Sequence, residues 1–162
     1  MKILFVTHVP NQYIKDKDPL GIMCLSANLK RGNHEVRICS PRITGVEEIL
    51  VEFPANIIAY SIATAESNFY TDFNRIIKQR HPEIFSVFGG PHPTFYPNFI
   101  TENSGIDAMC GGEADLAFVD FADRLAADND YHLTPNFHVR RDGEIYRNEE
   151  TNLVANLDDR PF

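Results

Sequence analysis

Ile84-Phe85-Ser86-Val87-Phe88-Gly89-Gly90-Pro91-His92-Pro93 is the stretch from which the fold is read. Its short apolar run has the length and character of a strand buried on both faces, and Gly89-Gly90 ends it where side chains would obstruct a close neighbour. In open α/β sheets the ligand crevice lies at the carboxyl ends of the strands. A Gly-Gly step there lets bare backbone approach a phosphate or a sugar. The same two glycines also suit a tight strand-to-helix turn that holds no ligand.

Working toward the N-terminus, Asn56-Ile57-Ile58-Ala59-Tyr60-Ser61 is another buried strand, continued by the polar run Ser61-Ile62-Ala63-Thr64. Thr64 is placed to cap the next helix, with Glu66 in its positively polarised first turn. Phe69, Phe73, Ile76 and Ile77 share one face of that helix, and His81-Pro82 ends it. Further back, residues 3–7 form a compact apolar strand. A helix follows in which Asp18 caps, Pro19 takes the first position, and Leu20, Met23, Cys24 and Ala27, with Leu25 and Leu29 beside them, supply the apolar face. Gly32 is its expected left-handed stop. Glu35-Val36-Arg37-Ile38-Cys39 then alternates as a strand near an edge, and residues 46–51 read as a short helix.

Toward the C-terminus the sequence predicts a short helix near residues 98–102, a strand over 106–109, and a helix over 113–127 entered through Gly111 and Gly112. Phe118, Phe121, Ala122 and Leu125 form the apolar face of that helix, with Glu113 and Asp115 at its N-terminus. Five strands alternating with helices predict an α/β domain with a five-stranded parallel sheet covered on both faces, wound as in flavodoxin-like and Rossmann-like folds. After Asn129 the style changes. Asn136-Phe137-His138-Val139-Arg140 and Glu144-Ile145-Tyr146-Arg147 flank an Asp142-Gly143 turn, a C-terminal β-hairpin extension. The tail from Leu157 to Phe162 looks like a domain boundary, so the expected division is an α/β domain over 1–130, then a hairpin and linker over 131–162 toward a further domain.

The 162 residues suffice for one domain with a real core, and the formal net charge of −8 argues against a basic nucleic-acid-binding surface or a polybasic membrane patch. The apolar start, Met1 to Val6, is too short for a signal sequence and no stretch approaches a membrane span, so the expected location is the cytoplasm. Cys24, Cys39 and Cys110 are widely separated and show neither zinc-site nor iron–sulfur spacing, which leaves reduced core thiols as their reading. No HExxH, nucleophile elbow, Walker loop or helix-opening GxGxxG is present. Glu113 and Asp115 read as helix N-terminal acids more readily than as a catalytic pair, and His92 as a turn residue at the expected ligand edge. His8 reads as a solvated loop residue. No catalytic residue and no metal ligand is assigned.

The ordered set Pro19-Leu20-Gly21, Arg31-Gly32-Asn33-His34-Glu35-Val36, Phe88-Gly89-Gly90-Pro91-His92-Pro93-Thr94 and Gly112-Glu113 resembles the N-terminal cobalamin (B12)-binding domain of B12-dependent radical S-adenosylmethionine (SAM) enzymes. That group includes proteins called anaerobic magnesium-protoporphyrin IX monomethyl ester oxidative cyclases. The resemblance implies a cobalamin over the carboxyl edge of the sheet, its nucleotide tail descending between sheet and helices. By that likeness Ser61 matches the serine that contacts the tail's base, and Gly89 and Gly90 match the glycines lining its groove. Ile62, Ala63 and Thr64, with Pro91, His92 and the Gly112-Glu113 turn, border the tail or the corrin. The better-known cobalamin domains carry Asp-x-His-x-x-Gly in the first loop; here Asp16-Lys17-Asp18-Pro19-Leu20-Gly21 puts Asp18 at the histidine's place. The resemblance therefore implies base-off cobalamin without a protein histidine ligand.

The resemblance thus implies a cobalamin-binding module of a radical SAM enzyme, not catalytic alone, with SAM and a [4Fe-4S] cluster expected to belong to an absent barrel domain that is its partner. The complete enzyme would transfer a methyl group or perform cyclase or redox chemistry on a small or tetrapyrrole-like substrate. Two alternatives stand beside it. One is a vestigial interaction domain that no longer binds B12, to which the bulky Tyr60, Phe95 and Tyr96 near the edge point. The other is a flavodoxin-like domain binding a flavin or a nucleotide, for which His8-Val9-Pro10-Asn11-Gln12 is a poor phosphate loop.

Overall fold

A computed structural model describes residues 1–8 and 19–150. Its strands are β1 (Lys2–Val6), β2 (Glu35–Cys39), β3 (Ile57–Ser61), β4 (Phe85–Gly89), β5 (Ala108–Cys110), β6 (Phe137–Arg141) and β7 (Glu144–Arg147). The helices are α1 (Leu20–Arg31), α2 (Ile43–Glu52), α3 (Ser67–Arg80), α4 (Pro91–Phe95), α5 (Phe99–Glu102) and α6 (Ala117–Ala126). The strands form one sheet in the order β2-β1-β3-β4-β5-β6-β7. β1 to β5 pair in parallel in the flavodoxin-like 2-1-3-4-5 order. The hairpin does not stand apart: β6 joins the free edge of β5 antiparallel, and β7 pairs with β6, making seven strands where the parallel count is five.

Alternation along each strand sends side chains to two cores. Leu4, Val6, Ile58, Tyr60, Phe88 and Met109 pack under α2 and α3, with Val46, Leu50, Tyr70, Phe73 and Ile77. Ile3, Phe5, Ile57, Ala59, Val87 and Ala108 pack under α1 and α6, with Ile22, Leu29, Phe118, Phe121 and Ala122. Ser86, the polar interruption in β4, is buried and ties the sheet together. The Asp107 carboxylate accepts hydrogen bonds from the Ser86 amide at 2.7 Å and from Lys78 Nζ at 2.8 Å.

Several local expectations are corrected. Leu20 and Met23 are exposed on α1, whose buried positions are Ile22, Ser26, Asn28 and Leu29; a helix apolar on several sides does not announce which one meets the sheet. The cap expected from Asp18 falls outside the described residues. Gly32 keeps φ −77°, and the left-handed residue is Asn33 at φ 64°. Asparagine tolerates that region, while Gly32 is small for another reason: a Cβ there would meet Val119 Cγ1 at 2.8 Å, pinning α1 to α6. Thr64 does not cap α3. It opens a turn of 3-10 helix in which the Glu66 carboxylate accepts the Ala63 amide at 3.2 Å. On α3, Tyr70, Phe73, Asn74 and Ile77 are the buried residues, while Phe69 is exposed. Pro91-His92-Pro93 forms α4 instead of an open turn, and α6 starts at Ala117, so Glu113 and Asp115 precede it.

The hairpin clamps α5 from below. Arg147 donates to the Pro97 carbonyl at 3.1 Å and to Thr101 Oγ1 at 2.8 Å, and Arg140 donates to the carbonyls of Ile100 and Ile106. Among the described residues no helix is long and apolar enough to cross a membrane.

Candidate functional site

The loops after β3, β4 and β5 meet at the carboxyl edge of the sheet, and these three strands arrive there with little side chain. Ala59 and Ser61, Val87 and Gly89, and Ala108 and Cys110 all point to the α1/α6 side, the parity that carries Phe5. Because these residues are small, a cleft of about 40 Å³ opens between the sheet end and the helices, closed on its outer side by Leu25 of α1 and Phe118 of α6.

Gly89 and Gly90 play different parts. Gly90 has φ 93°, and a Cβ built on it would stand 2.8 Å from the Ile62 amide nitrogen and 2.9 Å from Ser61 Oγ. Only glycine fits there, whether or not a ligand is present. The close approach lets the Ile62 amide donate to the Gly89 carbonyl at 2.9 Å and the His92 amide donate to the Ile62 carbonyl at 3.1 Å. Gly89 is under no such demand: among the described residues its Cβ would find only the Cys110 carbonyl oxygen, 4.0 Å away, and it lines the cleft.

Of the residues expected to hold a cofactor, Ser61, Gly89, Gly90 and Gly112 line this cleft together. Ile62 is fully buried in the α2/α3 core and contributes its backbone to the β3–β4 lock. Ala63 and Thr64 start the turn of 3-10 helix, and Thr64 Oγ1 lies 3.3 Å from His92 Nδ1. His92 is 9% exposed and packs edge-on against Phe99 at 4.6 Å, a bridge between the loops after β3 and β4. Pro91 is exposed in the first turn of α4. Glu113 is exposed, and its carbonyl accepts Asn136 Nδ2 at 2.7 Å. His8 is also at this edge, its ring stacked on Phe69 at 6.1 Å.

Besides Tyr60, which borders the cleft while its ring packs in the α2/α3 core, the sequence reading missed the cleft's other lining residues, Phe5, Leu25, Ala59, Val87, Cys110, Ala114 and Phe118. The signal was available in the parity: small residues two apart at the ends of β3 and β4 share one face. Tyr60, singled out as bulk near the edge, faces the other way, against Phe88 at 4.6 Å and Tyr70 at 5.8 Å. Around the edge stand exposed apolar side chains, Leu20 and Met23 from α1, Phe69 from α3, Phe95 from α4 and Leu116 before α6.

Cys110 is the one thiol in the cleft, and burial, with smaller contributions from Glu150 and Glu113, pushes its pKa up to about 12. Burial alone raises Cys39 to about 11, whereas Cys24 is half-buried. A thiol held protonated is a poor nucleophile. In native protein at pH 8 an aromatic disulfide reagent is therefore expected to titrate Cys24 alone, and all three cysteines only after unfolding. Rapid reaction of Cys110 in the native state would contradict this. Among the described residues no group of three His, Cys, Asp or Glu side chains is placed to hold a metal ion.

A doubly wound sheet with a cleft at its carboxyl edge, floored by small residues and backbone, is the arrangement in which open α/β domains hold ligands. Residues 13–122 match the B12 binding domain family. The chain belongs to that family. An uncharacterized methyltransferase of Pyrococcus horikoshii is 27% identical over all of this chain and 38% of its own length. The cobalamin-dependent radical SAM methyltransferase TokK of Streptomyces tokunonensis is 33% identical over 54% of this chain and 13% of its own length. In fold, the radical SAM methyltransferase TsrM of Kitasatospora setae superposes with a TM-score of 0.77 at 15% identity, over 91% of this chain and 30% of its own. The chain thus spans well under half the length of each of these proteins.

Proposed function

We propose that this chain holds a cobalamin at the carboxyl edge of its sheet and presents it to a radical SAM domain. The observation that carries the reading is Gly89. A Cβ there enters open space in the cleft, so the glycine is explained by room kept for a ligand and not by the turn. Ser61 Oγ offers a hydroxyl to the tail, and the backbone of Gly89, Gly90 and Gly112 offers it a floor without side chains. Leu25 and Phe118 keep water from its apolar face. When bound, cobalamin supplies a cobalt centre able to carry a methyl group or pass electrons, while SAM and a [4Fe-4S] cluster would belong to the barrel domain.

The described histidines nearest the edge are engaged by protein: His92 with Thr64 and Phe99, His8 against Phe69 and Tyr70. This supports a base-off cobalamin without a protein imidazole. In the same proposal residues 1–130 hold the cofactor and 131–162 lead toward the barrel. The complete protein performs methyl transfer or redox chemistry, in the cytoplasm.

A second reading takes support from the narrowness of the cleft. At about 40 Å³ it has room for only a few water molecules, as expected of a docking module that has lost its cofactor. Titration of the purified chain with hydroxocobalamin separates the two. Stoichiometric retention through desalting with a base-off spectrum is the expected result. No retention, either by this chain or by a longer protein carrying the barrel, would overturn the proposal in favour of the docking module.

A further inference from the structure

The small-residue edge that runs through Gly89 and Gly90 continues onto Gly111 and Gly112 at the end of β5, and there it is covered by a side chain of the protein itself. A Cβ at Gly111 would stand 2.9 Å from Glu150 Oε1, and one at Gly112 would stand 3.2 Å from Glu150 Oε2. Gly112 has φ 62° and is glycine for its backbone, but Gly111 needs no left-handed conformation. Among the described residues, the only atoms its Cβ would meet are those of that carboxylate. The position of Glu150 is set by the hairpin. Asn148 Nδ2 donates to the carbonyls of His132 and Phe137, the Asn136 amide donates to the Glu149 carbonyl at 3.0 Å, and the Gly111 amide donates to the Asn136 carbonyl at 2.9 Å.

Resting on the cobalamin reading, the geometry points to Glu150 as a displaceable latch over the β5 side of the cleft, whose negative charge opposes the phosphodiester of the nucleotide tail. The exposed Glu150 carboxylate lies on the rim beside Gly112, close to where an entering anion would seat, and like charges at short range repel at low ionic strength. Seating the tail then requires the carboxylate to swing off Gly111 and Gly112. Its anchorage through residues 136 and 148–149 makes that movement felt where the chain leaves the hairpin.

The test compares the wild-type chain with Glu150→Gln and Glu150→Ala in spectral titrations with hydroxocobalamin and with dicyanocobinamide, a corrinoid that lacks the nucleotide tail. Both variants are expected to bind hydroxocobalamin about threefold to tenfold more tightly at low ionic strength, with the gain shrinking in 0.5 M salt and absent for dicyanocobinamide. Equal affinities, weaker binding by the variants, or the same gain for both corrinoids would overturn the latch while leaving the proposed function in place. Corrinoid bound by none of the proteins would overturn the proposed function and the latch with it.

Discussion

Gly89→Leu is expected to fold as the wild-type chain does and to lose cobalamin on desalting, a drop in affinity of at least about a hundredfold. The first added carbon has ordinary room, 4.0 Å from the nearest atom, so the backbone has no reason to move. The rest of the leucine then enters the cleft that Gly89 lines with Ser61, Phe118 and Leu25. Filling an existing void with apolar atoms costs little or even stabilises, so the melting temperature is expected to stay within about 3 °C of the wild type. Circular dichroism melting together with cobalamin retention checks both halves. A variant that keeps its cofactor would show that the tail does not enter this cleft.

Gly90→Ala, one residue further on, is expected to do the reverse and damage the fold itself. Alanine at φ 93° is strained by about 1–2 kcal/mol, and the new methyl would lie within 3.0 Å of both the nitrogen and the oxygen of Ile62. Those atoms belong to backbone held by hydrogen bonds to Gly89 and His92, so nothing flexible can yield. Strain and overpacking together are expected to cost about 3 kcal/mol or more, a fall of roughly 6–12 °C in Tm for a domain of this size. Thermal melts of the cofactor-free protein measure this without reference to any ligand. Stability equal to wild type would mean that the β3–β4 lock is looser than its geometry indicates.

The contrast between these neighbours shows where sequence reasoning reaches its limit. The Gly-Gly pair marked the sheet's edge correctly, and the alternation of apolar runs with helical faces was enough to recover a doubly wound parallel sheet, because parallel strands buried on both sides must be apolar throughout; the 2-1-3-4-5 order itself is not written in that alternation. The Asp142-Gly143 turn was equally legible, both residues adopting positive φ at 53° and 83°. Which glycine serves the turn and which leaves space cannot be read from two identical letters. That depends on Ile62, 28 positions away along the chain from Gly90 but in van der Waals contact across the β3–β4 pair.

Leu20 and Met23 misled for a related physical reason. Apolar residues at helical spacing normally mean a core, and here they stand exposed at the rim of the carboxyl edge beside Phe69, Phe95 and Leu116. Periodicity reports that a face is apolar and is silent on what covers it. The hairpin was foreseen as an element, yet its place as strands six and seven of the same sheet was not. That pairing depends on the open edge of a three-residue β5, a property of the assembled sheet.

The antiparallel return of β7 has a kinetic consequence. Because the strand runs back toward the carboxyl edge, the chain at Glu150 stands within side-chain reach of Gly111 and Gly112. Any segment that continues from there begins its search at the cleft instead of at the end of a long tether. Encounter between the two is then intramolecular, at an effective concentration on the order of millimolar. An interface far too weak to hold two separate proteins together would suffice to close over the site and reopen.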